Sequence, residues 1–141
     1  MPSRMFIVLL GPPGSGKGTQ AERLAAHFHV PHISTGELLR SSQDPDIKAV
    51  IDSGALVSDS QMIPLVKRRL KSEKGGWILD GFPRTIEQAH ALSAMGPEIP
   101  KVLYLKTDED EIKKRLLFRR SCKTYFGNAE CHAKYNAGCF C

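Results

Sequence analysis

The chain has 141 residues, enough for one domain with a buried core, because a domain of this size hides roughly two-thirds of its unfolded surface. Hydrophobic residues make up 41% and charged residues 25%, a balance typical of soluble globular proteins and not of membrane-embedded or disordered ones. The formal net charge of +5 favours anionic partners, namely nucleotides, nucleic acids or anionic membrane surfaces, without choosing among them.

Two features bear on the cellular compartment. The apolar run at residues 5–10 ends at Gly11-Pro12-Pro13 and is too short for a signal peptide or a membrane span. We therefore expect a cytoplasmic protein without a membrane partner. All four cysteines lie at or after Cys122, whereas a secreted disulfide framework would spread them along the fold. The cluster indicates free thiols or a metal site.

Apolar runs and helical patterns alternate along the chain. The runs at residues 6–10, 31–33, 77–79 and 102–105 predict short, buried, parallel strands. Helical patterns cover residues 17–28, a segment that starts after Ser34, and residues 59–72, 85–95 and 108–120. The alternation predicts an α/β fold, a doubly wound parallel sheet with helices on both faces.

The helix boundaries carry more specific expectations. Ser34 with Glu37 and Ser58 with Gln61 have the spacing of capping boxes, and Thr107 is the predicted N-cap of the last helix. Pro64 lies inside the 59–72 pattern and predicts a kink or a later helix start, because proline removes one backbone hydrogen bond. Residues 121–141 have no strand or helix pattern.

The segment Gly-Pro-Pro-Gly-Ser-Gly-Lys-Gly-Thr at residues 11–19 follows a predicted strand and opens a predicted helix, the setting that a P-loop requires. The glycines let backbone N–H groups surround phosphate oxygens, the helix N-terminus adds a positive dipole end, and Lys17 adds a mobile charge. Gly18 stands where P-loops usually have the hydroxyl ligand of Mg²⁺, so that ligand is absent or displaced to Thr19.

Asp80 ends the apolar run that begins at Trp77. An aspartate in this setting is most often a turn residue. Together with a P-loop, however, it has the pattern of the carboxylate that holds Mg²⁺ or its water shell beside bound ATP.

Four motifs together resemble the adenylate kinase family in their order and spacing. They are Gly11 to Gln20, Ser-Thr-Gly-Glu-Leu-Leu-Arg at 34–40, Gly-Ala-Leu-Val at 54–57, and Asp-Gly-Phe-Pro-Arg-Thr-x-x-Gln at 80–88. The resemblance runs from Met5 to about Arg120. It implies a single P-loop kinase domain over residues 1–141, with a small monophosphate-binding insertion at 34–58 and a partial lid at 121–141.

The resemblance also implies a reaction and the residues that perform it. The reaction is Mg²⁺-dependent, reversible phosphoryl transfer from ATP to AMP, giving two ADP, by a monomer with no nucleic-acid partner. The ATP site would contain Gly14, Ser15, Gly16, Lys17, Gly18, Thr19, Arg115 and Arg119. The AMP site would contain Thr35, Arg40, Ala55, Leu56, Val57, Gly81, Phe82, Pro83, Arg84 and Gln88. The catalytic set would be Lys17, Asp80, Arg84 and Arg119.

Three positions favour adenine as the acceptor base. Pyrimidine-specific relatives commonly carry alanine or asparagine where this chain has Thr35, Thr85 or Gln88. The stretch between Arg40 and Gly54 is shorter than in the family, which predicts a clipped helix in the AMP-binding insertion.

The lid region departs from the family pattern. Cys122 occupies the first ligand position of zinc-containing lids, but Tyr125 stands where the second ligand is expected. A zinc site formed by Cys122, Cys131 or His132, Cys139 and Cys141 is one interpretation, and reduced thiols are the other. The resemblance further implies lid arginines, helices and a fifth strand beyond Cys141. We therefore expect these residues to lack the C-terminal third of such a protein and to be marginally stable and nearly inactive alone.

Other function classes stay open at this stage. They are a related monophosphate kinase with another donor or acceptor, and a non-catalytic nucleotide-binding remnant. The basic runs at 67–69 and 113–115 are better explained as solvated helix faces than as a nucleic-acid surface, because no aromatic stacking platform accompanies them.

Overall fold

The computed structural model describes residues 5–95 and 101–117. Its four strands form one all-parallel sheet in the order β2-β3-β1-β4. They are β1 (Met5–Leu10), β2 (His32–Ser34), β3 (Gly76–Asp80) and β4 (Lys101–Tyr104). The described helices are α1 (Lys17–Phe28), α2 (Thr35–Arg40), α3 (Pro45–Asp52), α4 (Asp59–Lys71), α5 (Ile86–Ala94) and α6 (Glu109–Leu117). The predicted α/β fold with a parallel sheet is confirmed.

Both faces of the central strands β1 and β3 are covered. In β1, Phe6 and Val8 pack into one apolar cluster with residues of α4 and α5, among them Val66 and Leu92. The alternate residues Ile7 and Leu9 pack on the other face against α1, where Ala21 is fully buried. The two-residue period of a strand sends successive side chains to opposite faces, so a strand covered on both sides must be apolar throughout.

The register brings the functional loops to one edge of the sheet. Leu9 of β1 is paired with Asp80 of β3, and Ser34 of β2 is also paired with Asp80. The chain leaves β1 toward β2 through α1, while β4 lies on the opposite side of β1. The carboxyl ends of the strands flank a topological switch point, which is where ligands bind in open α/β sheets.

Several predicted helix boundaries need correction. The helix that contains Pro64 begins at Asp59, so the predicted later start is wrong. The Ser58–Gln61 pair explains the early start, because the Gln61 side-chain oxygen accepts from the Ser58 backbone N–H at 3.4 Å. Ser34 occupies the N-cap position of α2, but its side chain makes no capping hydrogen bond, so that predicted box does not form.

The other differences are at the insertion and at α6. Helix α3 lies between Arg40 and Gly54, where a clipped helix is predicted without bounds. It has a strong start: the Asp44 carboxylate accepts from the Asp46 N–H at 3.0 Å, and Pro45 is the first helical residue. Helix α6 begins at Glu109, so Asp108 and not Thr107 precedes it. Its predicted end at Arg120 lies outside the described residues.

Strand β4 is an exposed edge of the described sheet, so the prediction that the run at 102–105 forms a buried strand is wrong. Its four residues are all exposed, with Val102 at 58% and Tyr104 at 66%, and within residues 5–95 and 101–117 it pairs with β1 alone. An apolar strand edge with free backbone donors and acceptors is a template for pairing with another chain. The exposed edge of β4 is therefore a candidate surface for aggregation of the 141-residue chain.

We predict that Val102→Glu slows aggregation of the 141-residue chain by about threefold or more, because a charge on the edge strand opposes strand pairing. Static light scattering at increasing protein concentration measures the rate. Ile86→Glu is the matched control, since Ile86 is also apolar and exposed but lies at the start of α5. Each change lowers the formal charge of +5 by one. An equal effect of both variants would show that the edge is not the aggregating surface.

Candidate active site

The loop between β1 and α1 has the backbone of an anion-binding turn. Gly11, Gly14 and Gly16 have φ values of +149°, +80° and +90°, which L-residues with side chains rarely adopt. A Cβ at Gly11 would lie 2.8 Å from the Leu105 carbonyl oxygen and 3.0 Å from Ser15 Oγ. The glycines therefore allow a turn that other residues would block, and Gly16 leads directly into the N-terminus of α1.

Two polar groups of this loop are suited to phosphate. The Lys17 ammonium folds back over the loop and donates to the carbonyl oxygens of Gly11 at 2.7 Å and Pro12 at 2.9 Å. The Ser15 hydroxyl is buried and, within the described residues, has no hydrogen-bond partner. A buried, unsatisfied hydroxyl beside a helix N-terminus and an ammonium group fits an anionic oxygen, because that ligand would accept from the hydroxyl and carry the charge opposite to the other two.

Asp80 lies directly across from the P-loop. Its Oδ2 is 3.8 Å from the position that a Cβ on Gly18 would take, so the carboxylate lies beside the first turn of α1. His32 was not singled out from the sequence, although its Nε2 is 3.6 Å from the same carboxylate oxygen. The pairing of β2 with β3 brings the two together, and the sequence carries no direct signal for that pairing.

Helix α6 contributes Arg115 to the P-loop. Its guanidinium donates to the Gly14 carbonyl oxygen at 3.3 Å and to the Glu111 carboxylate at 2.8 Å. Leu116 of the same helix lies 3.4 Å from the position of a Cβ on Gly14. The predicted position of Arg115 at the ATP loop therefore agrees with the structure, while its contact with ATP stays a prediction. Arg119 lies outside the described residues.

The loop after β3 packs against the start of α2. Thr35 is buried, and its hydroxyl donates to the Asp80 carbonyl oxygen at 3.4 Å. Gly81 has a φ of +87°, and a Cβ there would lie 2.5 Å from Thr35 Oγ1 and 3.2 Å from an Arg84 guanidinium nitrogen. Phe82 anchors the loop in the core and is joined to Pro83 by a cis peptide bond. Thr35, Gly81 and Arg84, all predicted from the AMP motif, therefore converge.

Gln88 joins this group from the first turn of α5. Its side-chain oxygen accepts from the Arg84 backbone N–H at 2.8 Å, and Thr85, the N-cap of α5, accepts from the Gln88 N–H at 3.2 Å. The Gln88 amide nitrogen donates to Asp59 at 2.6 Å. Sequence reasoning missed Asp59, because its residue type and position are sufficiently explained by the start of α4.

The remaining predicted AMP residues lie in the insertion. Arg40 ends α2, and its guanidinium lies 3.2 Å from the position of a Cβ on Gly36. Ala55, Leu56 and Val57 form the connection between α3 and α4, where Leu56 is 96% exposed. An apolar side chain this exposed is available for a ligand or for closure of the insertion, and its predicted role is untested.

In the part of the chain that the structure describes, no group of three or more His, Cys, Asp or Glu side chains could hold a metal ion. The predicted zinc ligands Cys122, Cys131, Cys139 and Cys141 lie outside it, so zinc stays a prediction. None of the described helices is both long and apolar enough to cross a membrane.

Fold and site together define a P-loop protein with an α/β core. Comparison with known proteins then identifies the family: the family model described as adenylate kinase matches residues 9–131. The adenylate kinase of Synechococcus sp. (strain RCC307) is 47% identical over 80% of this chain and 68% of its own length. The chain belongs to the adenylate kinase family.

Two further relatives have the same name and match a similar share of this chain. The adenylate kinase of Bacillus cytotoxicus is 43% identical over 94% of this chain and 64% of its own length. That of Streptomyces coelicolor is 46% identical over 84% of this chain and 60% of its own length. The chain thus spans about three-fifths to two-thirds of the curated relatives it matches.

We predict that Gly81→Ala lowers the free energy of unfolding by at least about 1 kcal/mol more than Gly54→Ala. Both glycines have positive φ, +87° and +72°, so both changes add backbone strain of about 1–2 kcal/mol. Only the Gly81 variant also forces a methyl group against Thr35, because the space around Gly54 is open. Urea denaturation of the two variants measures the difference, and equal losses would contradict the tight packing described for Gly81.

Proposed function

We propose that the chain binds ATP at the P-loop and AMP at the neighbouring loop, and that it is the catalytic core of an adenylate kinase. The observation that carries the proposal is the position of Asp80 between the two candidate sites. Its carboxylate faces Gly18 of the P-loop, and its carbonyl oxygen accepts from Thr35 of the AMP motif at 3.4 Å. Two phosphate-binding loops that share one residue can hold a donor and an acceptor side by side.

The transfer needs no covalent intermediate with the protein. An oxygen of the AMP phosphate attacks the terminal phosphorus of ATP, the bond to the bridging oxygen breaks, and ADP leaves on each side. The protein contributes positioning and positive charge. Lys17 would exchange its carbonyl partners for β- and γ-phosphate oxygens, and Arg84 would clamp the AMP phosphate, because its planar guanidinium can donate two parallel hydrogen bonds.

Asp80 fits a magnesium ion held mainly by phosphate oxygens and water. Magnesium prefers oxygen ligands, keeps several waters, and needs only one or two carboxylates from the protein. The Asp80 carboxylate faces Gly18 of the P-loop, with Oδ2 3.8 Å from the position of a Cβ there, so it lies beside the loop that would hold the phosphate oxygens. When bound to ATP, the ion would neutralise the charge that develops on the transferring phosphoryl group.

Residues on the buried side of the AMP loop would select the acceptor base. Gln88 can donate to and accept from a purine edge, so a base with the wrong pattern leaves buried groups unpaired. Thr35 and the connection from Ala55 to Val57 would complete this pocket. A related kinase with another acceptor stays the alternative, and the test is therefore made on the acceptor.

The lid belongs to the proposal as well. We propose that Arg119 adds charge at the transferring group and that residues 121–141 form part of the lid, with zinc or reduced thiols at the cysteines. Because the relatives are longer, binding and turnover are separate questions for these 141 residues. We expect the nucleotide sites to bind while turnover by this chain alone is very slow, because charge and water exclusion at the transferring group need the lid.

We predict that AMP is a far better acceptor than CMP or UMP in a chimera that adds the C-terminal segment of a relative. Gln88→Ala should reduce this preference by about 1–3 kcal/mol, because a buried hydrogen-bonding partner of the base is lost. Initial rates of ADP formation from ATP, with AMP, CMP or UMP as the acceptor, measure the preference. Gln43→Ala is the control, since that glutamine is exposed and lies in the predicted insertion at 34–58, whereas Gln88 is buried in α5. Equal rates with AMP and CMP would contradict the proposal that AMP is the preferred acceptor.

We also predict that two substitutions separate the sites in the 141-residue chain. Lys17→Ala should weaken ATP binding by about tenfold or more with little effect on AMP, and Arg84→Ala should do the reverse, since each removes one charge-assisted contact to phosphate. Titration calorimetry with each nucleotide measures both constants, and Lys71→Ala serves as a surface control. If Arg84→Ala affected ATP alone, its assignment to AMP would be wrong.

A further inference from the structure

Asp59 connects the first turn of α4 to the first turn of α5. One carboxylate oxygen accepts from the Gln88 amide nitrogen at 2.6 Å, and the other accepts from the Thr85 hydroxyl at 2.7 Å. Gln88 itself is only 5% exposed. Neither bond is needed to start α4, because Ser58 and Gln61 already cap that helix. The contact therefore calls for another explanation.

The partners of Gln88 permit only one orientation of its amide group. An ionised carboxylate can accept hydrogen bonds but cannot donate them, so Asp59 must face the NH₂ end. The Arg84 backbone N–H can donate but cannot accept, so it must face the oxygen end, at 2.8 Å. Rotating the amide by 180° would place oxygen against carboxylate and NH₂ against N–H. Asp59 and Arg84 thus fix the amide from both ends.

The fixed amide leaves a defined pattern for a ligand. A glutamine amide has two N–H donors and two oxygen lone pairs. One donor is used by Asp59 and one lone pair by Arg84, so among the described contacts of the amide one donor and one acceptor are left for a ligand, in fixed order. Adenine offers the complement, an amino donor beside a ring-nitrogen acceptor, whereas a 6-oxopurine places an acceptor oxygen where the amino group would be.

We propose that Asp59 is a positioning residue for base selection: it locks the Gln88 amide in the orientation that accepts a 6-aminopurine monophosphate and rejects a 6-oxopurine monophosphate. This inference rests on the proposed function, because it assumes that Gln88 faces the acceptor base. Asp59 does not contact the base itself. It acts through Gln88.

Removal of the carboxylate should change the two ligands in opposite ways. In Asp59→Ala the amide keeps its bond from Arg84 but loses the second constraint, so the reversed orientation becomes accessible. AMP binding should weaken, because part of the ensemble now presents the wrong pattern. Binding of inosine monophosphate should stay the same or improve. A general loosening of the pocket would instead weaken both nucleotides.

The experiment measures the dissociation constants of AMP and inosine monophosphate for the full 141-residue chain by titration calorimetry. We expect Asp59→Ala to lower the preference for AMP by about tenfold, in the range that one bidentate base contact supplies. Asp59→Asn should retain the preference within about threefold, because its side-chain oxygen can still face the Gln88 NH₂ group. Asp46→Ala, which removes another carboxylate from the first turn of a helix, should leave the preference unchanged.

A double-mutant cycle shows whether Asp59 acts through Gln88. In a Gln88→Ala background, adding Asp59→Ala should produce no further change in the preference. An unchanged preference in Asp59→Ala, an equal loss of both nucleotides, or a full effect in the Gln88→Ala background would each overturn the inference and leave the proposed function intact. Failure of the unsubstituted chain to bind AMP better than CMP would overturn both.

Discussion

The parallel pairing of β1 with β3 is the constraint on which the site depends. Paired in register from Met5 with Gly76 to Leu9 with Asp80, the two strands end at the same edge of the sheet. The P-loop leaves β1 there, and the loop from Gly81 to Arg84 leaves β3. The strands are buried on both faces, so the loops start from fixed points. A shift of one residue in register would turn every side chain of one strand to the opposite face.

The arrangement of hydrogen-bond donors and positive charge in the site follows from this strand pairing. Phosphate groups need donors and cations that are already in place, since a flexible site would lose affinity through the entropy of ordering it. The donors here come from glycine-rich backbone and a helix N-terminus, which have few rotatable groups to order. The cations are longer side chains that have partners in the described structure: Lys17 on the carbonyl oxygens of its own loop, and Arg84 on the Gly81 carbonyl oxygen at 2.8 Å. Each holds its charge near the place where phosphate would bind.

Much of the fold could be predicted because its signals are local. Four apolar runs predicted four strands, and the alternation with helices predicted parallel pairing. The bounds of helix α3 could not be predicted from periodicity, because it is only eight residues long, and the family resemblance alone indicated a clipped helix in that stretch. For the helix through Pro64, the proline rule left a kink or a later start open, and the Ser58–Gln61 cap decided against the later start. Strand order was not predictable, because no local pattern says which strands are neighbours.

The difference between local and long-range signals also explains which residues of the site could be predicted. Motif residues such as Lys17, Gly81 and Gln88 lie in contiguous segments and could be found by pattern. Asp59 and His32 can be linked to the site only through their contacts with residues that are distant in sequence. Asp59 lies 29 residues from Gln88 in sequence, and His32 meets Asp80 only because β2 pairs with β3. Contacts of this kind depend on which elements pack together, which the sequence pattern does not specify.

The position of Asp59 also explains why a carboxylate can occupy a half-buried place without a cationic partner in its described contacts. It is the first residue of α4, and both of its described partners, Thr85 and Gln88, lie at the start of α5. The positive dipole ends of two helices therefore act on one negative charge, a favourable arrangement that falls off within the first turn. An arginine or lysine partner would compete with Gln88 for the carboxylate oxygens. Because the helix ends stabilise the charge, both carboxylate oxygens can accept from Thr85 and Gln88. Asp59 can therefore be charged and partly buried and still hold these two side chains in a fixed orientation.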